Sequence, residues 1–360
     1  FLHVSRPEID LEYGIDLHDE RIYAQAAAAF QKLCKEVPLT LDNGKHLYLY
    51  QLQMGDHVQT GILGAASAEE YRKGIIKKHE KTRRDKEDDR ARHVMELRNH
   101  SGPVFLTYRD SAEIDAVVNG IMKEKPYFSF TAPDGIEHKL WKAGKERSLK
   151  LSRIFDTEVP LFYIADGHHR AASASRAAAT CRAANPKHTG KEDYNYFLAV
   201  TFPASQLRIL PYNRVVKDLN GLTHAEFINK VSEKFIISAT TNPSPEGSGE
   251  FCMYFDGRWS LLRPRFDISS LGVIEQLDVS ILQDNILAPI LGIDDPRTSK
   301  RIDFIGGIRG TKELEKLVNA GKGVVAFSMY PTTLNQLMAI ADANAIMPPK
   351  STWFEPKLRD

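Results

Sequence analysis

Leu161-Phe-Tyr-Ile-Ala-Asp166-Gly167-His168-His169-Arg170, followed at once by the Ala-rich stretch Ala171 to Ala184, is the segment on which the reading of this chain turns. The opening residues are apolar and of strand length. The alanines after Arg170 favour helix, so the pattern is strand, short polar turn, helix. Such a junction exposes the unpaired backbone N–H groups of a helix start, where the helix dipole favours negative charge. Gly167 permits positive φ or a close backbone approach, and His168, His169 and Arg170 add side-chain nitrogens. By composition the turn is a cradle for phosphate or another anion. Two other readings stand beside it: metal ligation, and a structural role in which the histidines cap the helix and Arg170 makes a surface pair. Metal ligation is awkward for adjacent histidines in strand geometry, which point to opposite faces, and no HxH or HxxxH pair supports them locally.

Upstream, a helix is expected from Glu20 through Lys35, where alanines surround Tyr23, Phe30 and Leu33 at helical spacing. Lys45-His-Leu-Tyr-Leu-Tyr-Gln-Leu and Val58-Gln-Thr-Gly-Ile-Leu-Gly read as a strand pair around Met54-Gly55-Asp56. Ala68 to Asn99 reads as one long polar helix, with ten Lys+Arg and five Asp+Glu between Arg72 and His93. The ordinary meaning of such a run is a solvated face laced by i,i+4 pairs. On a helix, however, Glu80, Arg83/Arg84 and Lys86/Glu87 would share a face. A carboxylate among cations stays ionised and can take a proton from a substrate hydroxyl, which makes Glu80 the candidate base.

Pro103-Val-Phe-Leu-Thr-Tyr is a buried-strand signal, followed by a helix over Ser111 to Lys123 and a turn at Pro133-Asp-Gly. Beyond the central segment, Tyr196 to Thr201 is a strand, with short ones at Leu207 to Leu210 and Val215-Val216. Phe251-Cys-Met-Tyr-Phe and Trp259-Ser-Leu-Leu form a hairpin about Asp256-Gly257. Helices are expected near Ser269 to Leu287, Lys312 to Ala320 and Thr333 to Ala343, and a strand over Gly323 to Met329. The alternation predicts an α/β or α+β protein with mixed sheets. Thr240 to Glu250, rich in Pro, Ser and Gly, reads as the linker. The expected regions are therefore 1–65, a helix and hairpin; 66–238, a core carrying the His-Glu segment and the Asp166 turn; and 250–360, a C-terminal α/β region whose last segment packs near the site.

The chain has 360 residues, with 48 Lys+Arg against 47 Asp+Glu, a formal charge of +1. Nucleic-acid scaffolds and membrane-surface proteins usually carry a large basic excess, so neither partner is expected here. Three cysteines, Cys34, Cys181 and Cys252, lie far apart without a CxxC pair, which disfavours a disulfide framework and predicts a reducing, cytoplasmic setting. No apolar run approaches the roughly 18 to 20 residues of a membrane span. The start at Phe1 has no signal-peptide pattern and no Met, so the chain is expected to begin inside a longer gene product. GxxxxGK[ST], GxGxxG after a strand, GxSxG, HExxH and the protein-kinase set are all missing, which removes the common ATP cradles and hydrolase triads.

The terminal run Met347-Pro-Pro-Lys350-Ser351-Thr352-Trp-Phe-Glu-Pro-Lys357-Leu-Arg359 completes the candidates. Pro-Pro holds it extended, Lys350, Ser351 and Thr352 present a cation and two hydroxyls, and Lys357 and Arg359 add charge.

Taken with His79-Glu80, the Asp166-Gly-His-His-Arg170 turn resembles that of the free serine kinases built on the ParB/sulfiredoxin-like fold. The whole chain is more similar still to a large family that carries Ile76-Lys-Lys-His-Glu-Lys-Thr-Arg83, Lys86-Glu-Asp-Asp-Arg90 with His93, Gly102-Pro-Val-Phe-Leu106, Tyr163-Ile-Ala-Asp-Gly-His-His-Arg170 and Met347-Pro-Pro-Lys-Ser-Thr-Trp-Phe-Glu-Pro-Lys-Leu358. That family is understood as pyrophosphate-dependent L-serine kinases that make O-phospho-L-serine. The resemblance implies a ParB/sulfiredoxin-like core with a mixed sheet, enlarged by insertions that fold aside, since 85 residues separate Glu80 from Asp166.

It further implies L-serine and pyrophosphate as substrates and Mg²⁺ as cofactor. Glu80 would be the general base, Asp166 and His169 catalytic, and Asp166 the Mg²⁺ contact. Gly167, His168 and Arg170 would hold phosphate, with His79, Thr82, Arg84, Lys86, Arg90, His93, Lys350, Ser351 and Thr352 as further binding candidates. Three alternatives remain open: a serine kinase using ADP or ATP, a ParB-like nucleotide- or DNA-binding regulator using the basic run around Arg72 to Arg92, and an inactive ligand sensor.

Overall fold

The computed structural model describes residues 1–37 and 39–359. In chain order they form β1 (Tyr48–Met54), β2 (His57–Ser67), β3 (Ile76–Lys77), β4 (Val104–Tyr108), β5 (Phe128–Thr131), β6 (Glu137–Lys142), β7 (Phe162–Asp166) and β8 (Tyr196–Pro203). After these come β9 (Arg208–Leu210), β10 (Tyr212–Val216), β11 (Phe235–Ala239), β12 (Phe251–Phe255), β13 (Arg258–Pro264), β14 (Ile302–Gly306), β15 (Val325–Met329) and β16 (Trp353–Glu355). The helices are α1 (Leu2–Ser5), α2 (Glu20–Glu36), α3 (Ala68–Lys73), α4 (Arg84–Leu97), α5 (Ala112–Met122) and α6 (Gly144–Glu158). They continue with α7 (His168–Ala184), α8 (His224–Lys234), α9 (Asp278–Leu282), α10 (Thr311–Asn319) and α11 (Leu334–Asp342). None among the described residues is long and apolar enough to cross a membrane.

The chain divides into two compact units: Phe1–Leu207 with Pro356–Asp360, and Arg208–Glu355. This division differs from the expected regions. The hairpin of region 1–65 belongs to the same sheet as the core, because β2 continues its pairing onto β8. The 240–250 stretch is the connection between β11 and β12 inside the second unit, not a boundary.

The first unit is mixed α/β, built on one sheet ordered β3-β7-β4-β8-β2-β1-β6-β5. β3 and β7 run parallel, as do β4 and β8; the other neighbours are antiparallel. One face packs Ile76, Val104, Leu106, Ile164, Phe197 and Ala199 against α3 and α7. The other packs Leu49, Ile62 and Tyr108 against Ile114, Ile121, Leu151 and Ile154 of α5 and α6. Full burial of each large aliphatic side chain there contributes about 1.5–3 kcal/mol. The buried face of α7 includes Ala171, Ala172, Ala174 and Ala178, whose small side chains let it lie close on the sheet.

The long helix expected from Ala68 to Asn99 is two helices. Ser67 caps α3 by accepting the Glu70 N–H, and Gly74 ends it at φ +75, a left-handed conformation that glycine adopts without a Cβ penalty. Ile76-Lys77 then pairs with Phe162-Tyr163, so Lys78 to Arg83 form a loop and α4 starts only at Arg84. Glu80 and Thr82 are therefore loop residues and share no helix face with Arg84 and Lys86. The helical periodicity of charge between Lys77 and His93 is real only from Arg84 onward. There α4 is tied by ion pairs: Glu87 and Asp88 meet Arg176 of α7, Arg92 meets Glu20, and Asp89 accepts the Tyr23 hydroxyl at 2.7 Å.

The second unit holds an antiparallel sheet ordered β11-β13-β12-β15-β10-β14, and a separate pair of β9 with β16. Val215, Tyr254, Ile305, Leu314 and Ala326 form a core under α10. The helix expected over Ser269 to Leu287 is shorter: a turn at Ile268–Ser270, then α9, which continues into a wide π turn over Gln283–Leu287.

Candidate active site

Parallel pairing of β3 with β7 makes both strands end on the same side of the sheet. The loop after β3 carries His79 and Glu80, and the turn after β7 carries Asp166 to Arg170. Gly167 takes φ +94 as the N-cap of α7 and brings no capping side chain, so the first-turn N–H groups of α7 have no side-chain cap. A Cβ on Gly167 would lie 2.8 Å from Nε of Arg170, whose guanidinium folds back over the turn.

The helix starts at His168, earlier than the expected Ala171. The two histidines thus sit in the first helical turn and not in strand geometry. Each accepts a backbone N–H through Nε2: His168 from His79 at 3.4 Å and His169 from Arg83 at 3.2 Å. A ring that accepts through Nε2 carries its proton on Nδ1. His168 Nδ1 lies 3.6 Å from a Glu80 carboxylate oxygen. His168 is buried, and burial holds its pKa well below the ordinary histidine value, with His79, His169 and Lys78 adding repulsion. The His79 ring meets it edge-on at 4.4 Å and is itself brought down to about 4, chiefly by burial. His168 is therefore a buried, neutral partner for Glu80 and for the loop.

A cavity of about 380 Å³ opens here. Glu80, Arg90, Asp166, Gly167, His168, His169 and Arg170 line it, and Phe105, Lys357 and Leu358 complete the wall. Asp166 accepts the Gly167 N–H through Oδ1 at 2.7 Å, and its Oδ2 lies 3.4 Å from Lys357 Nζ. Three cations, Arg90, Arg170 and Lys357, thus face two carboxylates. Such a wall suits a compact, highly charged anion.

The remaining candidates are used elsewhere. The Thr82 hydroxyl bonds Glu87, Arg84 reaches Asp88 at 4.0 Å, and Lys86 is exposed on α4. His93 donates from Nε2 to the Val4 carbonyl at 3.0 Å, away from the cavity wall. His79 contributes its backbone and a buried ring whose Nδ1 has no hydrogen-bond partner among the described residues. Lys350, Ser351 and Thr352 belong to the second unit, where the Ser351 hydroxyl donates to Pro348 at 2.6 Å and Lys350 lies over the Tyr212 ring. Phe105 and Leu358 are not among the candidate site residues, although both lie in motifs that carry the resemblance and the terminal segment is expected near the site. Lys357 stood out in sequence only as added charge.

Among the described residues no group of three or more His, Cys, Asp or Glu side chains could enclose a metal ion. Mg²⁺ needs no such cage, since it binds through one or two carboxylates and completes its shell with water and phosphate oxygens. Asp166 fits that partial donor set.

The fold and site define an α/β protein in which an uncapped helix start borders a cavity lined by cations and carboxylates. More particularly, a family described as "Protein of unknown function (DUF1015)" matches residues 1–280, and the chain belongs to it. No curated protein matches. Among solved structures, a free serine kinase in complex with AMP is 11% identical over 88% of this chain and 91% of its own, with a TM-score of 0.39. A mutant of free serine kinase with ADP is 13% identical over 89% and 91%, at 0.39. C-terminally truncated SbnI from Staphylococcus aureus is 10% identical over 81% and 82%, at 0.40.

Proposed function

We propose that the first unit houses a phosphotransferase that moves a phosphoryl group from pyrophosphate to the hydroxyl of free L-serine, giving O-phospho-L-serine and inorganic phosphate. The observation that carries this reading is one cavity holding Glu80 together with the Asp166–Arg170 turn, although 85 residues intervene between Glu80 and Asp166 in the sequence. The choice of serine and pyrophosphate draws on the motif resemblance.

Phosphoryl transfer asks for positioning, neutralisation of donor charge and an acceptor for the hydroxyl proton. Glu80 takes that proton as the serine oxygen bonds to phosphorus, and the bridging P–O bond breaks to release phosphate. The His168 Nδ1–H faces the Glu80 carboxylate and holds its orientation. Arg90, Arg170, Lys357 and the first-turn N–H groups of α7 neutralise the transferring phosphoryl group and the leaving phosphate. When bound, Mg²⁺ would rest on Asp166 and screen charge on the donor oxygens.

Purified protein incubated with L-serine, Mg²⁺ and, separately, pyrophosphate, ADP or ATP tests the donor by mass detection of O-phosphoserine. Product with pyrophosphate alone is expected. Product only with a nucleotide would remove pyrophosphate, and no product with any donor would remove the kinase reading.

A further inference from the structure

The second unit has a cavity of its own, of about 270 Å³, whose wall includes Arg214 from β10. Arg214 is 3% exposed. Its guanidinium donates to the Tyr212 carbonyl and, at 3.2 Å, to the Lys350 carbonyl, and it lies 5.3 Å from the centre of the Phe304 ring. A guanidinium has five N–H donors. These carbonyls use two, and no carboxylate among the described residues pairs with it. Burial lowers its pKa to about 10, so it stays protonated at neutral pH. A buried cation without a counter-charge is costly, and the open space beside it is where an anion would repay that cost.

The rest of the wall sets the chemistry of that anion. Val279, Leu287, Phe304 and Pro296 make it largely apolar, and Asp294 and Asp295 add acidic groups. Arg297 occupies Asp295 at 3.0 Å. Asp294 is exposed and has no cationic partner among the described residues, and its backbone carbonyl accepts from the Gln283 side chain at 3.3 Å, which fixes its loop. A polyphosphate would meet two carboxylates here, whereas a neutral apolar molecule would leave Arg214 uncompensated. We propose that this cavity binds an α-amino acid with an apolar side chain, its carboxylate on Arg214, its ammonium toward Asp294, and its side chain on Val279, Leu287 and Phe304. The volume suits a molecule between leucine and phenylalanine in size.

Calorimetric titration of the full chain with L-leucine, L-phenylalanine, L-leucinamide and inorganic pyrophosphate tests this. Saturable binding of at least one amino acid is expected, at least tenfold weaker for L-leucinamide, which lacks the carboxylate. Arg214→Gln should abolish binding. Because that change can unfold the sheet, Asp294→Asn on the exposed wall gives a second arm, expected to weaken binding about tenfold with an unchanged circular dichroism spectrum. Glu80→Gln should leave the affinity as it was, which separates this site from the chemistry of the first unit. The proposal is overturned if neither amino acid binds, if L-leucinamide binds as well, if folded variants keep full affinity, if Glu80→Gln removes binding, or if pyrophosphate competes.

Discussion

The backbone N–H of His79 donates to Nε2 of His168 across 3.4 Å, joining a loop and a helix start that lie 89 residues apart in the chain. That bond sets the His168 tautomer and leaves Nδ1–H toward Glu80. One buried imidazole therefore both anchors the loop and faces its carboxylate.

Glu80→Gln keeps the shape of the side chain and removes the proton acceptor. We expect kcat for O-phosphoserine formation to fall by about 10²–10⁴, with KM values within a fewfold and an unchanged melting curve. Steady-state kinetics decide the point. Near-normal turnover would take Glu80 out of the mechanism.

Stability should fall with acid in a defined window. His79 is brought down to about 4 by burial, and His168 is also held well below the ordinary value near 6.5. The unfolded chain then binds protons that the folded chain refuses, so stability is complete above about pH 6.5 and is lost as pH falls toward 4. His79 alone accounts for about 3 kcal/mol at the acid end of that window. Urea unfolding between pH 4 and 7 measures the slope, and a slope in His79→Phe as steep as in the parent chain would contradict this assignment.

Gly167→Ala places a Cβ at φ +94 and against the Arg170 guanidinium. The expected cost is about 1–2 kcal/mol of stability with a marked loss of turnover, because the helix start is displaced. Thermal melting and activity measured together test it; a variant that melts and turns over as before would show that the turn tolerates a side chain.

Lys357→Ala should raise KM for pyrophosphate about tenfold and leave KM for serine within twofold, since it removes one of three cations from the cavity wall. Equal effects on both substrates would place Lys357 in a structural role through Asp166.

Much of the site could be read from the chain. The run Phe162 to Asp166, then Gly167, then the alanines of α7, obeys local rules of apolarity, backbone freedom and helix propensity, and the structure follows them. The Lys78 to Arg83 loop does not, because its charges imitate the i,i+4 pattern of the helix that begins just after it, and only Gly74 marks the break. A strand of two residues, Ile76-Lys77, has no periodicity to detect; its existence depends on Phe162 and Tyr163, far along the chain. The same is true of Phe105 and Leu358, which reach the cavity wall by tertiary placement. Thr240 to Glu250 reads as a linker by composition, yet a loop between paired strands has that same composition.

The offset between paired residues of β3 and β7, Ile76 to Phe162, is 86, the same as from Glu80 to Asp166. Alignment of the two halves of the site thus begins with the shortest strand pair of the sheet, and the intervening chain adds β4 beside β7 and, from Arg90 and Phe105, part of the cavity wall. Loop-closure entropy rises with the logarithm of length, so doubling a flexible loop within that excursion would cost only about 0.6 kcal/mol. Those parts of the segment that neither join the sheet nor reach the cavity can accordingly lengthen at small cost, while the register of β3 on β7 keeps Glu80 and the Asp166 turn at the same end of their strands.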